Sequence, residues 1–336
     1  MKNLLYIGNK LSGHGFSVTT IETLGAHLEQ EGFEVSYSST HKNKIIRLAA
    51  MLWTTFKARN RIDYLLIDTY STSNFWYAFL VSQLARLLDL KYIPILHGGN
   101  LPYRLKNNSG ASGMIFKNSY KNVAPSLYLF TAFVNAGFKN TVSIPNSIEV
   151  QNYPFVQRSR ILPKMLWVRA FAEIYHPTMA IEVFKKVKQN FPEASLCMVG
   201  GDKDGMLEKA KILARKYHLD ITFTGQLPKT EWIKLSANYS VFLNTSRFDN
   251  MPISLIEAMA LGLPIVSTRA GGIPDLLTHK KNALLVDNEA VSQMADAVIS
   301  LVADAQLTAT LSANAYQKAM EFDWGAVKNK WVELMI

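Results

Sequence analysis

Short apolar segments alternate with helical patterns along the whole chain, and this alternation is the feature that most restricts its fold. Six segments precede residue 150 and six follow residue 163: LLYIG, FEVSY, DYLLID, KYIPIL, KNVAPS and TVSIPN, then KMLWVR, SLCMVGG, ITFTG, SVFLNTS, PIVST and ALLV. Strands separated by helices in this rhythm favour parallel, doubly wound sheets. We therefore predict an α/β fold of two Rossmann-like domains facing each other across a cleft, with a boundary near residue 157.

The composition fits a two-domain enzyme without a membrane span. The chain has 336 residues, 49% of them hydrophobic, which is enough to bury a sizeable core. No apolar run approaches the roughly 20 residues that a membrane-spanning helix needs, and the first ten residues are too polar for a signal peptide, so we expect a cytoplasmic protein. Cys197 is the only cysteine, so no internal disulfide forms, and no His, Cys and Asp cluster has structural-metal spacing.

The segment from Arg247 to Asp275, RFDNMPISLIEAMALGLPIVSTRAGGIPD, predicts a helix over residues 252–261 that ends at a glycine. The N–H groups at the start of such a helix attract phosphate, so residues 250–254 are predicted to cradle a diphosphate. Side chains lean toward the helix N-terminus, which brings the Glu257 carboxylate toward the two hydroxyls of a ribose bound there. An ordinary helix with a solvated Glu257 and Asp249 as its cap is the alternative.

This segment resembles the signature of the family-four retaining glycosyltransferases of the GT-B architecture, the glycosyl transferases group 1. That signature is an acidic residue, seven others, then Glu in a Glu-Ala-Met-Ala-x-Gly-x-Pro context; here Asp249 precedes the run 257–264, and Ala-Gly-Gly-Ile-Pro follows at 270–274. The resemblance implies that Glu257 binds the nucleotide ribose and that Asp249 and the backbone after it contact the sugar and its phosphates. The first acid is usually Glu in the family, so Asp249 is a departure.

The resemblance also implies domain roles and a set of donor-binding residues. Residues 1–157 form an acceptor-side domain, residues 158–316 the nucleotide-sugar donor domain, and residues 317–336 a closing helical segment that packs back toward the first domain. The predicted donor-binding residues are Gly13, Gly15, Thr224, Gly225, Asn250, Met251, Pro252, Ile253 and Ser254.

Two further candidates follow strands of the first domain, at the end where open α/β sheets bind ligands. Gly13 and Gly15 lie in the loop after the first strand, before a helix predicted over residues 19–31. An ordinary flexible turn explains this loop as well as a substrate-facing one does. His97 follows the strand KYIPIL; the family has a His near the reacting sugar at this point, so we predict that His97 positions the sugar or stabilises it.

Arg169 ends the strand KMLWVR at the opening of the second domain. The family places an Arg here and a Lys a few positions later, and the two cations neutralise the donor diphosphate as its bond to the sugar breaks. This chain keeps Arg169 but reads AFAEIYHP where the Lys should come. The candidates to replace it are Tyr175, His176, Lys203 and Lys229, and the sequence does not choose among them.

The positive charge is concentrated in the first half of the chain. Residues 1–150 carry 15 Lys or Arg against 8 Asp or Glu, and residues 41–61 carry six Lys or Arg, no acid, and interleaved apolar residues. This composition is typical of a basic amphipathic helix on an anionic membrane surface. A helix whose apolar side packs on its own sheet fits equally well. Nucleic-acid binding is not expected, because no recognised nucleic-acid module accompanies the charge.

The resemblance implies an enzyme: a retaining, metal-independent, hexosyltransferase-like glycosyltransferase that uses no cofactor. Its catalytic residues are predicted as His97, Arg169, Asp249 and Glu257. Its partners are a nucleotide diphosphate sugar and a sugar or lipid-linked saccharide acceptor, in cell-surface polysaccharide or glycolipid synthesis. A nucleotide-sugar epimerase of the same fold, and a catalytically silent nucleotide-sugar-binding subunit, remain as alternatives.

Overall fold

The computed structural model describes residues 2–11, 13, 19–38 and 40–336. They form two compact units: unit 1 comprises Met1–Pro145 and Val327–Ile336, and unit 2 comprises Asn146–Ala326. Each unit is built on a six-stranded sheet whose neighbouring strands all run parallel, with helices between them. The predicted α/β fold with two doubly wound sheets is therefore confirmed.

Unit 1 has the strand order β2-β1-β3-β4-β5-β6. Its strands are β1 (Asn3–Ile7), β2 (Glu34–Ser38), β3 (Tyr64–Thr69), β4 (Tyr92–Leu96), β5 (Asn122–Ala124) and β6 (Thr141–Ser143). Its helices are α1 (Thr20–Gln30), α2 (Lys44–Ala58), α3 (Phe75–Leu87), α4 (Leu101–Asn107), α5 (Ser109–Phe116) and α6 (Leu127–Asn135). The direction of winding reverses between β1 and β3, which is where sheets of this order bind ligands.

Unit 2 has the strand order β12-β11-β10-β7-β8-β9. Its strands are β7 (Lys164–Val168), β8 (Ser195–Val199), β9 (Thr222–Gly225), β10 (Val241–Asn244), β11 (Ile265–Thr268) and β12 (Leu284–Val286). Its helices are α7 (Pro177–Asn190), α8 (Met206–Lys216), α9 (Lys229–Ser236), α10 (Ile253–Ala260), α11 (Ile273–Leu276), α12 (Val291–Ala303) and α13 (Ala305–Met320), and α14 (Trp324–Met335) begins in this unit. The winding reverses between β7 and β10.

All twelve predicted strands are confirmed. Most of them are apolar runs that a parallel sheet buries on both faces, whereas β2 and β9, each at the edge of its sheet, stay partly exposed. The predicted helix over residues 252–261 is present but shorter. It begins at Ile253, because Pro252 is the N-cap with an extended backbone rather than the first helical residue. It ends at Ala260, and Gly262 then takes a φ of +69°, which favours glycine.

The unit boundaries differ from those drawn on the sequence, which placed residues 146–157 in the first domain. The segment after Pro145 packs on unit 2: the Asn146 side-chain amide donates to the Met251 carbonyl at 3.0 Å, and Ile148 N–H donates to the Phe322 carbonyl at 2.9 Å. Tyr153 lies in the apolar core of the same unit. At the other end, unit 1 takes up the chain again at Val327 rather than at residue 317, and Lys328 Nζ lies 3.1 Å from a Glu31 carboxylate oxygen there.

No single helix in the described part of the chain is long and apolar enough to cross a membrane. The helices α12 and α13 reach that length and composition only together, across a bend of 104°. Their buried residues Met294, Val298 and Leu311 pack in the core of unit 2.

Asp323 is expected to hold the segment after Pro145 on unit 2. One of its carboxylate oxygens accepts from Val150 N–H at 2.9 Å, and the other accepts from Gly325 N–H at 2.8 Å. Substituting Asp323→Ala should lower the free energy of unfolding by about 2 kcal/mol, because two bonds to a charged acceptor are lost. Urea unfolding followed by circular dichroism measures this, with the exposed Asp220→Ala as the matched control. Equal midpoints for the two variants would contradict this role of Asp323.

Candidate active site

An ion pair lies at the point where the winding of the unit 2 sheet reverses. Arg169 follows β7 and Asp249 follows β10, the two strands on either side of the reversal, and the Arg169 guanidinium contacts the Asp249 carboxylate directly. Because parallel strands end at the same edge of a sheet, these two residues lie close together although they are distant in sequence. Two residues predicted as catalytic are thus brought together.

The backbone of Asp249 is held by the glycines of the segment AGGIP. Gly272 N–H donates to the Asp249 carbonyl at 2.9 Å, and Gly271 has a φ of +59°. A Cβ atom on Gly271 would collide with the Asp249 carbonyl oxygen. Glycine is therefore required on both grounds, conformation and space, for Asp249 to reach Arg169.

The Arg169 guanidinium also lies over the ring of Tyr175, 4.3 Å from its centroid. A buried chain of hydrogen bonds places that ring: Trp167 Nε1 donates to Thr245 Oγ1 at 3.0 Å, and Thr245 Oγ1 donates to the Tyr175 carbonyl at 2.8 Å. Burial lowers the pKa of Arg169, and the Glu257 charge opposes this shift. An arginine pKa starts so high that the group stays charged.

Glu257 is buried, and its charge is held by two donors on one oxygen. Tyr153 Oη donates to Glu257 Oε1 at 2.8 Å, and Lys229 Nζ lies 2.9 Å from the same atom. Burial, followed by the charge of Glu257, raises the pKa of Tyr153 well above its ordinary value, so the phenol remains a neutral donor. The expectation of a solvated Glu257 on an ordinary surface helix is wrong, because α10 is buried along most of its length.

The start of α10 carries an unused polar atom. Within the described residues, the buried hydroxyl of Ser254 has no hydrogen-bond partner, and the first N–H groups of a helix have no helical acceptor. Asp249 does not cap α10; its carboxylate accepts instead from Asn250 N–H at 3.0 Å in the preceding turn. The Met251 side chain lies in the core, so only its backbone is placed to contact a ligand.

Of the remaining predicted donor-binding residues, four lie in unit 2, Gly13 lies in unit 1, and Gly15 lies outside the described residues. Pro252 and Ile253 form the entry to α10, and Thr224 and Gly225 end β9, where the Gly225 carbonyl accepts from Gly200 N–H at 2.8 Å. Gly13 is exposed in the loop after β1. Gly15 lies outside the described residues, as do its predicted neighbours Ser12, His14 and Phe16.

The structure distinguishes the four candidates to replace the missing lysine. Lys229, the first residue of α9, contacts Glu257, and Tyr175 contacts Arg169 only through its ring. His176 Nε2 lies 3.1 Å from Arg247 Nη2, and Lys203 is exposed in the loop after β8. Lys229 is therefore the cation of the four that lies on the predicted site. The described residues contain no group of three or more His, Cys, Asp or Glu able to hold a metal ion.

In unit 1, His97 lies in a buried polar cluster around Asp68. His97 follows β4, and its Nε2 lies 2.7 Å from Oδ1 of Asp68, near the end of β3. Tyr6 Oη donates to the same oxygen at 2.9 Å, and Tyr77 Oη donates to the Asp68 carbonyl at 2.7 Å. The Tyr70 ring packs on the imidazole with centroids 5.3 Å apart. Because an ionised carboxylate only accepts, Nε2 of His97 is the donor to Asp68, and Nδ1 is the ring nitrogen that Asp68 does not contact.

Sequence reasoning missed two of these residues, Asp68 and Tyr153, and did not single out a third, Lys229. Asp68 gave a weak signal, since it ends the buried strand DYLLID, where a charged residue needs a partner. Lys229 was only one of four candidates. Tyr153 gave no signal, because nothing local to the stretch from Tyr153 to Pro163 indicates that its phenol reaches a carboxylate 104 residues later.

Comparison with known proteins gives a family match within unit 2. Residues 158–318 match the family described as Glycosyl transferases group 1. Sulfoquinovosyl transferase SQD2 from Arabidopsis thaliana is 28% identical over 155 residues, which are 45% of this chain and 29% of that protein. D-inositol 3-phosphate glycosyltransferase from Corynebacterium jeikeium is 24% identical over 289 residues, 76% of this chain and 68% of that protein. The chain spans less than a third of the length of the first curated relatives it matches.

Solved structures show the fold over nearly the whole chain. Sucrose-phosphate synthase from Thermosynechococcus elongatus superposes with a TM-score of 0.83 at 15% identity, covering 99% of this chain and 98% of that one. HepE from Anabaena, in complex with UDP and glucose, gives a TM-score of 0.77 at 18% identity and covers 99% of both chains. The fold is the GT-B architecture. None of the relatives named here is an epimerase, so the comparisons do not favour that alternative.

Tyr153→Phe is expected to weaken unit 2 because it removes a hydrogen bond to a buried carboxylate. Such bonds contribute about 1.5–3 kcal/mol, so the free energy of unfolding in urea should fall by about 2 kcal/mol. Tyr217→Phe is the matched control, since Tyr217 contacts Lys185 through its ring, which the substitution keeps. An unchanged urea midpoint in the Tyr153 variant would show that Lys229 alone holds the Glu257 charge.

Proposed function

Because residues 158–318 match the glycosyl transferases group 1, we propose that the chain transfers a sugar from a nucleotide diphosphate donor to a hydroxyl acceptor, with retention of configuration and without a bound metal or cofactor. The observation that carries the proposal is the charged cluster of unit 2, formed by the pairs Arg169–Asp249 and Lys229–Glu257. A nucleotide diphosphate sugar matches it, since its hydroxyls suit the carboxylates and its phosphates suit the cations.

Glu257 is proposed to bind the ribose of the donor. Its Oε1 is now shared by Tyr153 and Lys229, and a ribose hydroxyl that donates to the carboxylate would release the lysine. Lys229 is 46% exposed in its side chain, so it is free to swing on its four-carbon stem. HepE was solved with UDP and with UDP-glucose, which supports a uridine diphosphate sugar as the donor.

Arg169 and Lys229 are proposed to stabilise the leaving diphosphate. As the bond between the anomeric carbon and the phosphate oxygen breaks, negative charge grows on that oxygen, and fixed cations lower the energy of this state more than that of the bound donor. The unpartnered Ser254 hydroxyl and the N-terminus of α10 offer further hydrogen bonds to phosphate. Asp249 holds Arg169 in place and is proposed to contact a hydroxyl of the transferred sugar.

Retention requires that the acceptor oxygen bond to the anomeric carbon on the face that the diphosphate leaves. The acceptor hydroxyl proton then passes to the departing phosphate oxygen, so the step balances without an additional base.

Unit 1 is proposed to bind the acceptor, a sugar or a lipid-linked saccharide. The reaction is proposed to belong to cell-surface polysaccharide or glycolipid synthesis and to take place in the cytoplasm. His97, with Nε2 held by Asp68, is proposed as a polar contact of the reacting sugar through Nδ1.

Glu257→Gln should weaken donor binding, because the amide keeps the shape but loses the charge that accepts from the ribose. The purified chain is incubated with uridine, guanosine and adenosine diphosphate sugars, and the thermal midpoint and the release of nucleoside diphosphate are measured. We expect stabilisation and slow release with a uridine diphosphate sugar, and at least tenfold weaker binding in the variant. Glu231→Gln, an exposed glutamate on α9, is the control. Equal donor affinity in the two variants would contradict the assignment.

Lys229→Met should raise the KM for the donor by roughly tenfold to a hundredfold, because one of two charge-assisted contacts to phosphate is removed. Lys203→Met, the other lysine that could have supplied this charge, should leave KM near the unaltered value. Steady-state release of nucleoside diphosphate measures both. A larger effect of the Lys203 substitution would instead assign the second phosphate-binding cation to Lys203, in the loop after β8.

Nuclear magnetic resonance of the product from the same assay gives its anomeric configuration, which tests retention.

A further inference from the structure

The helix α2 exposes a strongly apolar side to solvent. Ile45 and Trp53 are 79% and 65% exposed, and Ile46 and Phe56 lie on the same side of the helix. The opposite side, with Arg47, Met51 and Thr55, is the one buried against unit 1. A surface helix normally turns its apolar side inward, so the arrangement of α2 requires an explanation.

The same apolar surface continues onto α3. Trp76, Leu80 and Leu87 are exposed there, Leu87 by 82%. Between the two helices runs an open apolar groove of about 520 Å³, lined by Ala49, Leu52, Trp53, Phe56 and Leu84. We call this the α2–α3 surface. Contiguous apolar patches of this kind mark sites of protein or membrane interaction.

Basic residues surround the α2–α3 surface, and acids are absent from its segments. Residues 41–62 and α3 contain no Asp or Glu, while the exposed or partly exposed cations are Lys42, Lys44, Lys57, Arg59, Arg61 and Arg86. The Arg59 guanidinium lies over the Phe56 ring, 4.3 Å from its centroid, so charge and aromatic surface adjoin. This combination complements a partner that is apolar inside and anionic at its surface.

We propose that the α2–α3 surface docks on an anionic lipid membrane. Trp53 and Phe56 enter the interfacial layer, where aromatic rings are favoured, and the lysines and arginines contact lipid phosphates. A second copy of the chain is a poorer occupant, because it would bring the same cations against each other. RNA is also a poorer occupant, because it would leave the aliphatic part of the groove exposed to water. The proposal goes beyond sugar transfer, since it concerns unit 1 and needs no donor.

The test is sedimentation of the full chain with vesicles of phosphatidylcholine alone and of phosphatidylcholine with phosphatidylglycerol. We expect binding to the anionic vesicles only, weakened by salt. Trp53→Ser with Phe56→Ser should weaken binding at least tenfold, and Lys57→Gln with Arg61→Gln by roughly fivefold per charge removed. The matched controls on α8 are Ile212→Ser, which is equally an exposed apolar position, and Lys209→Gln with Lys216→Gln. Both should bind as the unaltered chain does.

Failure of the unaltered chain to bind either vesicle would overturn the proposal, as would equal binding by the aromatic variant and its control. So would self-association in light scattering, or binding of single-stranded RNA, that the α2–α3 variants abolish while vesicle binding is unchanged. The altered side chains are exposed, so thermal midpoints should match that of the unaltered chain. Stabilisation by UDP, measured in all variants, reports on unit 2 and separates this result from failure of the proposed transferase activity.

Discussion

Inside unit 2, Tyr153 and Lys229 both reach the same carboxylate oxygen of Glu257. A buried carboxylate without such partners costs several kcal/mol or loses its charge. Tyr153 comes from the segment after Pro145, so the contact that holds the predicted ribose-binding residue also ties this segment to unit 2. The segment that determines the unit boundary thus also contributes a residue to the candidate site.

The ion pair of Arg169 and Asp249, where the winding of the sheet reverses, is likewise held in place by neighbouring groups. Arg169 is held by Asp249 and by the Tyr175 ring, and the backbone of Asp249 is held by Gly272. Ion pairs that bury a charge add little to stability compared with apolar packing, so Arg169–Asp249 and the pair of buried Glu257 with half-exposed Lys229 are better explained by binding. The side chains of Arg169 and Asp249 are already oriented, so a charged ligand meets fixed groups there rather than groups that must reorganise.

The fold was predictable because its information is local. Each strand is a short apolar run, and the alternation with helices determines a parallel sheet wherever it occurs. Asp249, Glu257 and the glycines after β11 were identifiable because they lie in one continuous segment. Tyr153 and the partnership of His97 with Asp68 were not, because each contact joins distant parts of the chain. The choice of Lys229, the first residue of α9, over Lys203, in the loop after β8, also required three-dimensional structure, since neither lysine lies close to Glu257 in sequence.

The helix α2 shows where composition alone gives two answers. Residues 41–61 are apolar enough to pack on the sheet and basic enough to bind lipid, and the sequence treats these as alternatives. In the structure Met51 and Thr55 pack inward while Ile45, Trp53 and Phe56 face solvent, so packing on unit 1 accounts for only one side of the helix. Exposed aromatic side chains gain nothing in water and carry a risk of aggregation. These exposed aromatic side chains lie beside basic residues with no acid among them. Burial of this surface against a membrane therefore explains them better than the stability of unit 1 does.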